Sequence, residues 1–451
     1  VNTAGAKPSV APHFPFFRLP GAGIHAQDSL VTKHAQAADR KPNLTMLYFA
    51  MMAIGMGQTV VFAVLPMLGR ELQLDQIIFP VPFTDMTFAP REMAITSLSA
   101  LTALIFSMVS PFWGRMSDRF GRKPIIIFGL VGYSIGTVTF NTAASVGLAG
   151  LLGGVALYGL LLATRVLHAV IMSAANPAAS AYVVDVTTLP DRVKGIGKLS
   201  AFNQVGSMVG PALAWFVSIS FLAPMYLQAC ITLIAAVLVM RYLPPTESHK
   251  SRPKNEKKLR AFDPRFRAFV LIGFAIFSML GMVQQTLGFY YQDILQLDGV
   301  HAAQMFSMAM VISSASMLVA QFGIVQRYNG VPINLVRFGL PFSLVGYLMI
   351  ANASNLPMLL GAMVFFGLGM GMAGPGYTAS ATMVVDAHEQ GALAGLLGSA
   401  AGMGFVVGPI AGGMLYRSEA SLPYWFASAV MLGVIGAVFH LSKRMQLDRP
   451  D

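Results

Sequence analysis

Two ionisable side chains interrupt a long apolar run in the first half of the chain. Arg165 and His168 lie three residues apart within 147–183, so on a helix they share one face. A charge in hydrocarbon costs about 3 kcal/mol or more, which makes such a residue a functional candidate by default. Imidazole exchanges a proton near neutral pH, so the pair is a candidate for proton coupling. The simpler interpretation of His168, which we favour, is a hydrogen-bonded interior histidine.

The remaining composition is typical of a protein that crosses a membrane many times. Apolar residues make up 55% of the chain and charged residues 11%, against about 25% charged in soluble domains. Runs of about 20 apolar residues recur, which predicts an all-α membrane protein. We predict twelve transmembrane helices, at 44–66, 93–112, 124–144, 147–183, 195–217, 221–243, 266–291, 304–325, 332–352, 356–385, 391–416 and 422–441.

The basic residues predict the topology. Lys and Arg concentrate on the side that holds both termini, which the positive-inside rule assigns to the cytoplasm of a bacterial inner membrane. The other side receives only Arg70, Arg91 and Arg417. The net charge of +11 therefore follows topology and does not indicate nucleic-acid binding. The predicted organisation is a cytoplasmic tail at 1–43, a half at 44–243, a basic linker at 244–265, a second half at 266–441 and a tail at 442–451.

A short polar segment separates the second and third apolar runs. It reads G-x-x-x-D-R-x-G-R-K, and its defining residues are Gly114, Asp118, Arg119, Gly121, Arg122 and Lys123. A polar hairpin cannot lie in hydrocarbon, so this one must lie at a membrane surface. The segment resembles the loop 2–3 signature of the major facilitator superfamily and matches it at every defining position.

The resemblance implies the major facilitator fold, in which two pseudo-symmetric halves of six helices enclose a central site. It also implies a gate, in which Asp118 faces the N-terminal end of span 11 and Arg122 pairs with Asp185. These contacts would close the cytoplasmic side and break when it opens. Arg165 and His168 occupy the R-x-x-Q position of the family's span 4 motif, with His in place of Gln, and the family's Arg is associated with proton transfer.

A glycine and proline pattern, G-x8-G-x3-G-P, occurs once in each half. Its members are Gly197, Gly206, Gly210 and Pro211, and then Gly395, Gly404, Gly408 and Pro409. It resembles the antiporter motif of the drug:proton branch of the superfamily, which implies export. The first copy departs from that motif, because Ala212 and Ala214 follow it instead of paired glycines. The alternative is close helix packing, since small residues let two helices approach.

Polar residues within the spans are candidates for the lining of a substrate cavity. They are Gln58, Asn203, Gln204, Gln284, Gln285, Tyr158 and Tyr377. Each is alternatively an interhelical hydrogen-bonding residue. Span 1 contains no acidic residue, so the group that carries the proton is not identified. A single Cys excludes an intramolecular disulfide and a cysteine-based metal site.

These features predict a transporter and not an enzyme. The expected function is proton-coupled export of small, partly apolar molecules by alternating access, as in multidrug and tetracycline efflux proteins. The alternatives are a dedicated exporter of one metabolite or siderophore, and a proton symporter. The expected partners are the substrate, protons and membrane lipids, and the expected working unit is a monomer. The glycines lack the Lys-Ser/Thr ending of a nucleotide-binding loop, so we expect the proton gradient as the driving force, with no cofactor and no metal.

Overall fold

The computed structural model describes residues 44–80, 87–187, 189–246, 263–385 and 389–447. The predicted N-terminal tail, most of the predicted linker and the last four residues of the chain lie outside these described residues.

Long helices make up nearly all of the described chain. Eleven candidate spans within it are long and apolar enough to cross a membrane, and the charged start of α6 excludes that helix from the count. The thirteen α-helices of the described residues are α1 Thr45–Glu71, α2 Glu92–Phe120, α3 Arg122–Leu148, α4 Gly154–Met172, α5 Ala175–Val186, α6 Leu189–Val209, α7 Ala223–Tyr242, α8 Arg267–Leu295, α9 Gly299–Gly323, α10 Pro332–Ala351, α11 Leu356–Thr382, α12 Gln390–Ser418 and α13 Leu422–Leu447.

Short elements connect some of these helices. Strands β1, Phe79–Pro80, and β2, Thr87–Phe88, pair antiparallel between α1 and α2. Single 3₁₀ turns follow α1 and α9, at Leu74–Gln76 and Val325–Arg327.

The fourth and fifth spans differ from their predicted form. Span 4 was predicted as one helix at 147–183, but it begins at Gly154 and divides into α4 and α5. Pro177 explains the break, because it has no N–H to donate to the carbonyl of Ser173. In span 5, the predicted helix at 195–217 is α-helical only as far as Val209. A 3₁₀ helix, Gly210–Ser218, completes it, with Pro211 in its first turn.

Glycines set the close packing inside each half. A side chain on Gly206 of α6 would overlap the carbonyl of Met52 on α1. In the second half, a side chain on Gly408 of α12 would overlap the carbonyl of Ser278 on α8. Both glycines belong to the repeated sequence pattern, so the two copies occupy corresponding helix interfaces.

The bundle has two distinct ends. The hairpin end is the one at which residues 114–124 turn between α2 and α3, where Gly121 has a φ of +91°. Few residues other than glycine adopt that backbone conformation. The far end is the opposite one, at which Arg70 and the two strands lie. The larger apolar core includes Leu68 of the first half and Leu287 of the second, so the halves share a core near the far end.

Candidate functional site

A cavity of about 700 Å³ lies between the two halves. Its walls come from α1, α2, α3, α4 and α6 of the first half and from α8 and α12 of the second. Arg165 and His168 line this cavity. Five of the residues predicted for the cavity also line it: Gln58, Asn203, Gln204, Gln284 and Gln285. Large apolar side chains complete the lining, namely Phe62, Phe106, Phe277, Leu280 and Phe405.

The two tyrosines predicted for the cavity lie elsewhere. The hydroxyl of Tyr158 is 2.7 Å from Oγ of Ser97, which joins α4 to α2. The hydroxyl of Tyr377 donates to the carbonyl of Phe269 at 2.9 Å, which joins α11 to α8. Both are interhelical hydrogen-bonding residues, which is the alternative that the sequence left open for them, and neither is among the residues that line this cavity.

Arg165 and His168 lie together in the wall of the cavity on α4. Arg165 is 4% exposed and His168 is 3% exposed. The guanidinium carbon of Arg165 stands 4.2 Å from the ring centre of Phe140, and the His168 ring meets Tyr133 edge-on at 4.8 Å. Among the described residues, neither ring nitrogen of His168 has a hydrogen-bond partner. The favoured interpretation of His168 as a hydrogen-bonded interior histidine is therefore not what the described structure shows.

At the hairpin end, the buried Arg122 is the centre of a partly buried polar network. Its Nε donates to Asp185 at 2.8 Å, and its Nη2 lies 2.5 Å from Asp118. Its Nη1 donates to Oγ of Ser117 at 2.7 Å. The contact between Arg122 and Asp185 that the family resemblance implies is present. The network joins α2, α3 and α5, which all belong to the first half.

The remaining polar residues at the hairpin end show a second network. Arg265 lies just before α8 and bonds Glu389, just before α12, at 2.9 Å. It also bonds Asp263 at 3.0 Å, and these hydrogen bonds hold the pKa of the Asp263 carboxyl below its usual range. Of the hairpin signature, Arg119 is exposed and Lys123 is half-buried. The N-terminal neighbours of α12 at 386–388, where Asp118 was expected to face span 11, lie outside the described residues.

At the far end, an ion pair connects the two halves. Arg70 of α1 bonds both carboxylate oxygens of Asp293 of α8, at 2.5 and 2.8 Å. The same guanidinium lies 3.2 Å from Glu92, and the hydroxyl of Tyr416 donates to Asp293 at 2.5 Å. Asp75 lies beside this group, and burial raises the pKa of its carboxyl. The sequence placed Arg70 on the outer side of the membrane but did not predict that it bonds Asp293, or that Tyr416 joins the pair.

Apolar and backbone contacts also close the far end. Ser307 of α9 donates to the carbonyl of Pro211, and a side chain on Gly413 of α12 would meet Met93 of α2 at 2.7 Å. Near the hairpin end of the same helix α12, Gly395 and Gly398 have open space where a side chain would stand. The described halves are thus in contact at the far end and separated along the part of the cavity that leads to the hairpin end.

This arrangement defines the class of protein. Two halves of membrane-spanning helices that enclose a cavity, closed at one end, form a transporter of small molecules and not an enzyme. The model of the Major Facilitator Superfamily matches residues 47–391 and 333–450, so the chain belongs to that superfamily. The predicted fold is confirmed.

The relatives confirm the resemblance to efflux proteins. Multidrug resistance protein 1 of Bacillus subtilis (strain 168) is 27% identical over 401 residues, which cover 86% of this chain and 92% of that protein. The class C tetracycline resistance protein of Escherichia coli is 27% identical over 362 residues, which cover 76% of this chain and 84% of that protein. A solved structure of a bacterial homolog of the human lysosomal transporter Spinster, inward-facing and occupied, is similar in fold. Its TM-score is 0.64 at 13% identity, over 89% of this chain and 98% of the other.

Proposed function

We propose that this transporter exports small, partly apolar molecules across the bacterial inner membrane in exchange for protons, by alternating access. The observation that carries the proposal is the cavity between the halves, with cross-half contacts at one end and open space beside Gly395 and Gly398 at the other. A transporter of this kind exposes one site to each side of the membrane in turn. The names of the multidrug and tetracycline resistance relatives support drug-like molecules as the cargo.

The distribution of basic residues supports the orientation. With the hairpin end and both termini in the cytoplasm, the described conformation is the one that accepts cargo from the cytoplasm. The repeated glycine pattern supports export, since it resembles the antiporter motif, from which only the end of the first copy departs. It lies in close helix contacts at Gly206 and Gly408. The transporter works as a monomer surrounded by lipid, with the proton gradient as its only source of energy.

The residues predicted to act in the cycle have proposed roles. Asp118 of the hairpin acts in the gate that the resemblance implies, toward span 11. The Arg122 pairs with Asp118 and Asp185 are present in this conformation, and they hold the hairpin against the rest of the first half. Arg165 and His168 in the cavity wall couple cargo movement to proton movement, because a fixed positive charge lowers the proton affinity of neighbouring groups.

The experiment is transport by everted membrane vesicles, in which export from the cell becomes uptake. Vesicles that contain the protein should accumulate tetracycline or a fluorescent dye when a pH gradient is imposed without ATP. An uncoupler should abolish this uptake, even when ATP is added afterwards. Vesicles with the Asp118→Asn variant are the matched control and should show only background uptake. Uptake that continues in the presence of the uncoupler and requires ATP would contradict the proposal.

A further inference from the structure

The guanidinium of Arg165 is a buried cation without a visible counter-charge. Its Nε and Nη2 are shielded from solvent and have no hydrogen-bond partner among the described residues. An unpaired charge inside a protein is costly unless an anion or several acceptors compensate it. The ring of Phe140 below the guanidinium offers a cation–π contact, but it accepts no hydrogen bond in the plane of the group.

No carboxylate of the described chain forms an ion pair with Arg165. No Asp or Glu is among the described residues that line the cavity. At the hairpin end, Asp118 and Asp185 bond Arg122. At the far end, Asp293 and Glu92 bond Arg70. The wall of the cavity therefore presents a positive charge and offers no negative one to a cationic cargo.

A small extension of the cavity lies directly beside this charge. It has a volume of about 10 Å³, and it shares five lining residues with the main cavity: Gly57, Val61, Tyr133, Arg165 and His168. A space of that size holds about one water-sized group. One oxygen of a carboxylate or sulfonate fits there, whereas the body of the molecule must remain in the main cavity.

The geometry of the guanidinium suits an anion. Nε and Nη2 form one edge of its plane, and one carboxylate or sulfonate oxygen opposite that edge can accept a hydrogen bond from both N–H groups. The main cavity next to it is lined by phenylalanines from both halves, such as Phe62 and Phe277. A charged head at Arg165 and an apolar body against these rings would satisfy both parts of the site.

We propose that the cargo site binds amphipathic organic anions, and that the carboxylate or sulfonate of the cargo is the counter-charge of Arg165. This rests on the proposed function in that it assigns the cargo class of the same cavity. It separates this chain from an exporter of lipophilic cations, to which the described cavity wall offers aromatic rings but no carboxylate.

The test is equilibrium binding to the purified full-length protein in detergent, without any gradient. Three fluorescent probes share one apolar body and differ in charge: pyrenebutyrate, pyrenebutanol and pyrenebutylammonium. The wild-type protein should bind the anion at least about tenfold more tightly than the other two. Arg165→Gln should reduce the affinity for the anion to that for the alcohol and leave the affinity for the alcohol unchanged. Arg165→Lys should retain part of the preference, since it keeps the charge and loses the planar edge.

The matched control is Arg337→Gln. Arg337 also stands over an aromatic ring, at 4.5 Å from the centre of Phe439, but it does not line the cavity. This variant should keep the full preference for the anion. Equal or tighter binding of the cation by the wild-type protein overturns the proposal without any variant. An anion preference that survives Arg165→Gln also overturns it.

The result of the binding experiment does not depend on whether protons or ATP drive transport. Anion binding at Arg165 stands even if vesicle transport proves not to be driven by protons. Proton-driven transport of cations, together with no preference for the anion, leaves the proposed function in place and rejects the anionic cargo.

Discussion

The ion pairs at the two ends of the bundle join different parts of the chain. At the far end, Arg70 of the first half bonds Asp293 of the second half, 223 residues later. At the hairpin end, each ion pair between described residues joins residues of one half, or of one half and the end of the linker that directly precedes it. Arg122 bonds Asp118 and Asp185, and Arg265 bonds Glu389.

This difference assigns the two networks different mechanical tasks. A pair that crosses between the halves stabilises the conformation in which that end is closed, and it must break before that end opens. A pair within one half can persist through the whole movement and keep that half rigid. The far-end pair is therefore expected to set the balance between conformations, and the hairpin network to preserve the shape of the moving part.

The largest expected effect is that of Arg122→Ala. Its side chain is 8% exposed and neutralises two carboxylates that are 36% and 19% exposed, and a polar group left without its partner costs about 1–3 kcal/mol. Vesicle uptake should fall to background, and thermal unfolding of the purified protein should begin at a lower temperature. Arg115→Ala, at an exposed position of the same hairpin, should retain most of the uptake. Asp118→Asn should also lose uptake, with expression close to normal, and normal uptake in that variant would reject the gate assignment.

The second effect is that of Asp293→Asn, which removes the charge from the cross-half pair. We expect the population open at the far end to increase about tenfold, the equivalent of about 1.4 kcal/mol. Spin labels at Gln76 and Ser418, introduced after Cys230→Ser, report this as a longer distance between the halves. Asp298→Asn is the matched control, since Asp298 is at the same end but bonds His301 within its own half. An unchanged distance distribution in Asp293→Asn would show that the pair does not control the closed end.

A smaller effect is expected from two glycines on one helix. In Gly413→Ala, the new methyl group would lie 2.6 Å from Oγ1 of Thr96 across the interface between halves. Such crowding costs about 1–3 kcal/mol and should slow uptake severalfold by holding the far end apart. Gly398→Ala, toward the hairpin end, meets nothing within 4 Å and should leave uptake unchanged. Equal uptake by the two variants would indicate that the far end does not close as tightly during the cycle.

The smallest effect is expected at Asp75. Burial raises its pKa, so the ionised form is less favourable in the folded protein than in the unfolded chain. Asp75→Asn should therefore increase stability at pH 7, by at most about 1 kcal/mol. The gain should disappear as the pH falls below about 4, because the aspartate is then protonated in both states. Thermal unfolding of the wild-type protein and of Asp75→Asn at pH 7 and pH 4 measures this difference. A variant that is less stable than the wild-type protein at pH 7 would contradict the prediction.

The sequence predicted the parts of the fold that depend on local patterns. The apolar runs located the spans, and the hairpin signature located the Arg122 network. The polar residues within runs identified five residues of the cavity wall. For Tyr158 and Tyr377 the sequence left two alternatives, because a hydroxyl in a span serves equally well as a cavity group or as a link between helices, and only the packing distinguishes the two.

The pairing at the far end depends on packing alone. Arg70 and Asp293 are single residues at the ends of two spans, and no repeat or motif connects them. The break in span 4 is different, since Pro177 is visible in the sequence and marks the interruption. Local sequence patterns also could not predict the environment of His168, because that environment depends on which groups of α3 face α4.

The break between α4 and α5 has a consequence for how force travels through the molecule. A continuous helix is a stiff rod, and any tilt at one end reaches the other. Here Ser173 and Ala174 interrupt the helix of span 4. They separate Asp185, near the hairpin end, from Arg165, near the middle of the span. Because Arg122 bonds α5 to the hairpin, a small change in the tilt of α5 moves with the hairpin and is not passed on in full to Arg165 on α4.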